Sequence, residues 1–334
     1  MQPPFEHRPV LADEVARLFA EVPSGLVVDA TLGGAGHARR ILDANPEIVL
    51  LGLDHDDDAI AAASGALDPY GERAAVHHIR FDHLAEAVDD FWRDRPLSSR
   101  PDHTEGVTGV LFDLGVSSPQ LDRPTRGFSF RRSGPLDMRM DRRRRRSAAD
   151  VVNDYPVDEL AGVLRQYGDE RYSKRIAAAI VDARPIETTD ELAETVADAI
   201  PAPARRAAKG HPARRTFQAI RIEVNEELSA LSEALDQAID LLLPGGRIVA
   251  LSYHSGEDRL VKERFRRAVT GGCECPPGLP CGCGAIPQAE FVVRGAVKAS
   301  DAEVADNPRA EAVRLRAIEG VTFLPADAPH EQAS

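Results

Sequence analysis

Between Leu26 and Asp113, short apolar runs alternate with stretches of helical periodicity, and this alternation restricts the fold more than any other feature of the chain. Leu26-Val-Val-Asp-Ala-Thr31 precedes a helical pattern over 36–44, and Ile48-Val-Leu-Leu-Gly-Leu-Asp54 precedes another over 57–67. Residues 74–80 lead into a helical pattern over 81–93, and Val107-Thr-Gly-Val-Leu-Phe-Asp113 closes the series. Parallel strands need crossover connections, and crossover helices cover the sheet, so this order predicts an α/β fold with helices on both faces. Ligands of such sheets sit at the carboxyl ends of the strands.

The alternation stops after Asp113. Loop-rich sequence continues to Asp141, and helices are expected over 157–167, 170–183 and 189–199. Ile220, Val224, Leu228, Leu231 and Leu235 then mark one long helix over 216–243. The turn Pro244-Gly-Gly feeds a strand over 247–253, and strand signals at 290–297 and 313–318 suit a terminal hairpin. The expected organisation is a sheet core over 1–129 and 216–324, an inserted helical domain over 130–215, and a tail over 325–334.

The apolar runs are too short to span a bilayer, which takes about 20 residues. Glu6, Arg8, Asp13 and Glu14 interrupt the start of the chain, which reads as neither signal peptide nor anchor. All four cysteines fall between positions 273 and 283, so a dispersed disulfide framework is excluded and a soluble, cytoplasmic protein is expected. The net charge of −13 argues against a nucleic-acid partner until its distribution is considered. From Arg123 to Arg221 there are 21 Lys/Arg against 14 Asp/Glu, a basic middle in an acidic chain. That asymmetry suits a localised polyanion site, and a solvated surface is the plain alternative.

Asp29-Ala-Thr-Leu-Gly-Gly-Ala-Gly-His37 joins the first strand to the first helix. Its glycines permit a tight turn and close approach of a ligand. The spacing is not the G-x-G-x-x-G of dinucleotide sites, which disfavours a nicotinamide-dependent oxidoreductase. An acid opens the loop instead, suiting a ligand with a cationic sulfonium and an amino group. Asp54 ends the second strand, where a carboxylate can accept from both hydroxyls of a ribose. Asp56 or Asp57 beside it can cap the next helix. Phe81 follows the third strand, where it can meet a flat base or simply join the core. The fourth strand ends in Asp113-Leu-Gly-Val-Ser-Ser-Pro-Gln120. An aromatic amine is a poor nucleophile because its lone pair is delocalised. Asp113, Ser117, Ser118 and carbonyls near Pro119 are the candidate acceptors for its hydrogens.

With these residues in view, the chain resembles the 16S rRNA (cytosine(1402)-N(4))-methyltransferase family, small-subunit methyltransferase H. The resemblance rests on His7-Arg-Pro-Val-Leu11, Asp29 to His37, Asp113 to Gln120, Arg126-Gly-Phe-Ser-Phe130 and Gly134-Pro-Leu-Asp-Met-Arg-Met-Asp141. It continues through Tyr167-Gly-Asp-Glu-Arg171, Arg215-Thr-Phe-Gln-Ala-Ile-Arg221, Ser252-Tyr-His-Ser-Gly-Glu-Asp-Arg259 and Asn307-Pro-Arg-Ala310. It implies a Rossmann-like class I S-adenosylmethionine methyltransferase sheet with an inserted, mostly helical substrate-recognition domain. It further implies S-adenosyl-L-methionine as cofactor, and 16S rRNA within the small ribosomal subunit as partner. Cofactor contacts carry over to Gly34, Ala35, Gly36, His37, Asp54, Phe81, Asp113 and Gln120. Ala35 stands where many members have Gly, Gly256 replaces a usual Leu, and the run Arg142 to Arg146 is unusually basic.

Ring-carbon methylation of cytosine ordinarily uses a thiolate nucleophile, and no cysteine lies at the first five strand ends, so direct attack by an amine is expected. His254 either positions the base or phosphate and helps remove a proton, or bonds locally to Glu257 or Asp258. Met138 and Met140 belong either to an RNA-facing loop or to a packed interdomain joint. Phosphate contacts are expected from Arg139, Arg142, Arg143, Arg144, Arg145 and Arg146. A second cluster, Arg205, Arg206, Lys209, Arg214 and Arg215, reads as a mobile phosphate-gripping loop rather than a helix face. No metal is assigned; Cys273, Cys275, Cys281 and Cys283 form either a structural metal site or a reduced, redox-sensitive loop, since C-x-C is not the usual zinc spacing.

Overall fold

A computed structural model describes residues 9–95, 106–207, 210–276 and 282–322. His7 and Arg8, Lys209 and Cys281 lie outside the described residues. The chain divides into two compact units, one comprising residues 1–54, 58–114 and 231–334, the other 55–57 and 115–230.

The first unit is a seven-stranded sheet. Its strands are β1 (Gly25–Asp29), β2 (Ile48–Asp54), β3 (Ala74–His78), β4 (Val107–Asp113), β5 (Leu242–Ser252), β6 (Ala289–Phe291) and β7 (Arg314–Gly320). They lie in the order β3-β2-β1-β4-β5-β7-β6. The first five pair in parallel, and β7 runs antiparallel to both β5 and β6. Alternate residues of β1 serve opposite faces. Leu26 and Val28 join a core with Phe91, Trp92, Leu235 and Phe265, whereas Val27 joins another with Phe19, Ile41 and Leu42. Burial on both faces is why these strands read as continuous apolar runs. The order reverses at β1 and β4, so their carboxyl ends flank the crevice where ligands of open α/β sheets bind.

The sheet departs from expectation at its second half. β5 starts at Leu242 rather than at residue 247, because its pairing with β4 slips between Val107 and Gly109 and absorbs Pro244-Gly-Gly as an irregularity. The strand expected over 290–297 is only three residues long, with a separate bridge from Val297 to Leu315.

The second unit is helical, built on Ala148–Asp154, Val157–Gly168, Ser173–Asp182, Thr189–Ala199, Ala202–Ala207 and Arg214–Asn225 around their own core. The single helix expected over 216–243 is two helices, Arg214–Asn225 and Glu227–Leu241, separated by Glu226 at φ +53°. Asn225 explains the stop. Its Nδ2 donates to Met138 O at 2.8 Å and its Oδ1 accepts Met140 N–H at 2.8 Å, fixing the helix end to the loop beside it. The apolar stripe therefore served two cores, Ile220 and Val224 in the helical unit, Leu231 and Leu235 in the sheet unit. Met138 and Met140 are buried in the helical unit's own core, which answers the question of their packing.

Candidate active site

Three carboxylates end adjacent strands: Asp54 on β2, Asp29 on β1 and Asp113 on β4. The turn after β1 is set by backbone bonds, Leu32 N–H to Leu53 O at 3.0 Å and Ala35 N–H to Leu32 O at 2.8 Å. Gly33 N–H donates to Asp54 Oδ2 at 2.9 Å, so the ribose candidate also shapes the glycine loop. Ala35 sits at φ +60°, the left-handed region where glycine is unstrained, and this is the physical reason glycine suits the position. A Cβ on Gly36 would stand 2.8 Å from Pro9 Cγ, whereas one on Gly34 would meet nothing within 4 Å among the described residues. The loop therefore presents open backbone at Gly34.

Asp29 is 1% exposed, and burial pushes its carboxyl up to about 7. Nearby His37 and the Thr31 N–H at 3.2 Å counter the shift, while Asp113 and Asp54 add to it. His37 opens the helix Gly36–Ala44, is 5% exposed, and has no hydrogen-bond partner among the described residues on either ring nitrogen. Its Nε2 lies 3.5 Å from Asp113 Oδ2. Asp113 is oriented from two other sides: its N–H donates to Thr31 Oγ1 at 2.6 Å, and Tyr253 OH donates to its Oδ1 at 2.7 Å. Burial, then the Asp113 charge, holds the Tyr253 phenol well above its usual range, so it remains a donor. Phe81 packs edge-on against Phe112 with ring centroids 6.2 Å apart, joining the core its sequence position allowed.

A buried imidazole with no hydrogen bond to any described residue, beside two acids and next to an open glycine turn, is an unfinished polar cluster that a cationic, hydrogen-bonding ligand would complete. The sequence profile of the MraW methylase family matches residues 4–321. The chain belongs to the MraW methylase family. The ribosomal RNA small subunit methyltransferase H of Symbiobacterium thermophilum is 48% identical over 94% of this chain and 96% of its own length. The protein of the same name from Acidothermus cellulolyticus is 49% identical over 96% and 95%, and that of Geobacter sp. strain M21 is 48% identical over 95% and 99%.

In this MraW family member the remaining candidates have local partners. Ser117 caps the short helix Ser118–Asp122, with Pro119 in its first turn, and Gln120 Oε1 accepts Ser117 N–H at 3.0 Å. Gln120 is buried and its Nε2 donates to Asp56 Oδ2 at 2.8 Å. Asp56, which immediately precedes the helix Asp57–Leu67, forms a buried ion pair with Arg126, whose Nη2 lies 2.7 Å away and also donates to the Arg139 and Met140 carbonyls. His254 takes its local reading, because Nδ1 accepts Gly256 N–H at 3.1 Å and Nε2 lies 3.1 Å from Glu257 Oε1.

The arginine run is not uniform. Arg144 pairs with Glu226, and Arg146 with Glu223 at 2.9 Å and Glu226 at 2.8 Å. Arg139 is held by Asp137 at 2.6 Å, and Arg143 by Asp141 at 2.9 Å. Arg142, Arg143 and Arg145 are exposed. The second basic cluster lies on helices rather than in a loop. Arg205 and Arg206 end the helix Ala202–Ala207, and Arg214 and Arg215 begin Arg214–Asn225. Low helix propensity around Gly210 and Pro212 suggested a loop throughout, but it only separates the two helices. Sequence reasoning missed Tyr253 and Arg126. The quoted family blocks contain both, but pairing with distant acids leaves no spacing signal.

Proposed function

We propose that this methylase transfers the methyl group of S-adenosyl-L-methionine to the exocyclic N4 amine of one cytidine in 16S rRNA, the position numbered 1402 in the family it resembles. The cluster of Asp29, His37 and Asp113 at the reversal of the strand order carries this reading. The cofactor supplies, when bound, a methyl group already carried on a good leaving group. Asp29 stays largely protonated until about pH 7, and an arriving cation favours its ionised form. Asp54 stands at the end of β2 for ribose hydroxyls, and the open backbone at Gly34 admits close approach. Asp113, oriented by Tyr253, accepts an amine hydrogen and raises electron density on the attacking nitrogen. His37, 3.5 Å from Asp113, is placed to take the proton onward. Ser118 and carbonyls around Pro119 remain candidates for a second acceptor.

The helical unit is the substrate-recognition part, with Arg142, Arg143, Arg145, Arg205, Arg206, Arg214 and Arg215 exposed for phosphates. Among the described residues no helix is long and apolar enough to cross a membrane, which suits work in the cytoplasm on the small ribosomal subunit. The test incubates the protein with methyl-labelled cofactor and either free 16S rRNA or small subunits, followed by nucleoside mass spectrometry. Labelled N4-methylcytidine is expected. Labelled 5-methylcytidine, or no label in either substrate, would overturn the assignment.

A further inference from the structure

The Sγ atoms of Cys273, Cys275 and Cys283 all lie within 4.8 Å of one another. Side chains two residues apart on an extended chain point to the same side but stand roughly 6.6 Å apart, so a C-x-C pair draws together around one ion only where the backbone turns. Here it turns at once. The helix Ser255–Thr270 ends at Gly271 and Gly272, with φ of +60° and +75°, and Cys273 N–H bonds to Thr270 O at 3.1 Å. The returning chain seats the backbone of Ile286 so close that a Cβ on Gly271 would stand 2.4 Å from its carbonyl. Gln288 N–H then bonds to Ala268 O at 2.9 Å, and Gly284 at φ +69° allows the reversal beside Cys283.

None of the described residues between 271 and 288 is buried, and Ile286 is 52% exposed. Segments without a core of their own are ordinarily held by another staple. This one delivers the chain to β6, a three-residue edge strand that has little pairing to hold it.

We propose that Cys273, Cys275 and Cys283 bind one zinc ion through their thiolates, and that the ion holds this connection closed. Zinc–sulfur bonds of about 2.3 Å in tetrahedral array place sulfurs about 3.8 Å apart, so the three atoms need approach by only about 1 Å. Thiolates are soft donors that select zinc over calcium or magnesium. Each thiol gives up its S–H proton to solvent on binding, so zinc affinity falls in acid. None of the three cysteines belongs to the strand-end cluster, which makes the ion structural.

The test is zinc analysis of the full-length protein isolated under reducing conditions, compared with the double variant C273S/C283S. One zinc per chain is expected in the parent protein and almost none in the variant. Cobalt(II) in place of zinc should give sulfur-to-cobalt charge-transfer absorption that the variant lacks. The variant should keep its affinity for S-adenosylmethionine, while limited proteolysis within 271–288 accelerates about tenfold or more, as expected for a loss of roughly 1.4 kcal/mol or more in holding the segment closed. Parent protein that takes up neither zinc nor cobalt from a chromophoric chelator, or a variant that binds both equally well, overturns the proposal. So does a disulfide within 273–283 in protein isolated without oxidant.

Discussion

Each of the two units holds a buried charged cluster, and the two differ in how far their charges are balanced. In the helical unit, Asp56 and Arg126 are 4% and 2% exposed, and each meets its counter-charge together with further hydrogen bonds. In the sheet unit, Asp29 is 1% exposed with its carboxyl pushed to about 7, and neither ring nitrogen of His37 hydrogen-bonds to a described residue. A balanced buried pair serves the fold, and removing one half is what harms it. An unbalanced cluster weakens the fold and persists where a ligand completes it. Burial of charge alone thus does not mark a functional site; the state of its partners does.

The largest expected effect breaks the balanced cluster. Arg126→Ala leaves Asp56 buried without its cation and should cost about 3–5 kcal/mol in urea denaturation. A loss below about 1 kcal/mol would mean that the pair is no more than a surface bridge.

The mirror experiment removes an acid from the unbalanced cluster. Asp113→Ala should slow single-turnover methyl transfer by about 10²–10³-fold, which is about 3–4 kcal/mol in the transition state. The melting temperature should move little, because among the described residues only the Tyr253 OH hydrogen bond and the 3.5 Å His37 contact are lost from the side chain. Near-normal transfer in a folded variant would move the amine-polarising role elsewhere.

Asp29→Asn separates stability from binding. The folded protein holds the Asp29 proton up to about pH 7, from an ordinary value of 3.8. Its contribution to stability is therefore full below pH 3.8 and is lost as pH rises through about 7. The variant, free of that loss, should gain roughly 1–3 kcal/mol over wild type above pH 7 and nothing near pH 4. Cofactor affinity should fall at the same time. A variant less stable at both pH values would show that the carboxylate is balanced after all.

The smallest effects sharpen the contrast within the arginine run. Arg142→Ser with Arg145→Ser should flatten the salt dependence of RNA binding by about 1 unit in log–log slope. Arg144→Ser with Arg146→Ser should leave that slope nearly unchanged and lower stability by about 1–2 kcal/mol, since Arg144 is held by Glu226 and Arg146 by Glu223 and Glu226. Equal slopes for the two pairs would remove the distinction.

Local pattern carried much of this. Strand ends, the glycine turn and the acids Asp29, Asp54 and Asp113 follow from period and position, because a parallel strand buried on both faces leaves a continuous apolar run that stops where polar chemistry begins. The helices within 157–199 were likewise legible, whereas Ala148–Asp154 and Ala202–Ala207 were not. The breaks were not. One apolar stripe over 216–243 satisfies helical periodicity while serving two cores, and only Asn225, bonded to a loop 85 and 87 residues away, decides that the helix stops.

The sequence by itself determined which residue types crowd the strand ends, and by resemblance the family to which they belong. Tertiary structure alone decided which of those residues are balanced and which are waiting. Arg144 and Arg145 are neighbours in one run, yet one is bound to Glu226 and the other is exposed. Asp29 and Asp56 are both buried acids, yet only Asp56 meets an arginine, from 70 residues away. Sequence spacing is silent on such pairs because a charge's energy depends on burial and on the distance to its partner, both set by the folded chain.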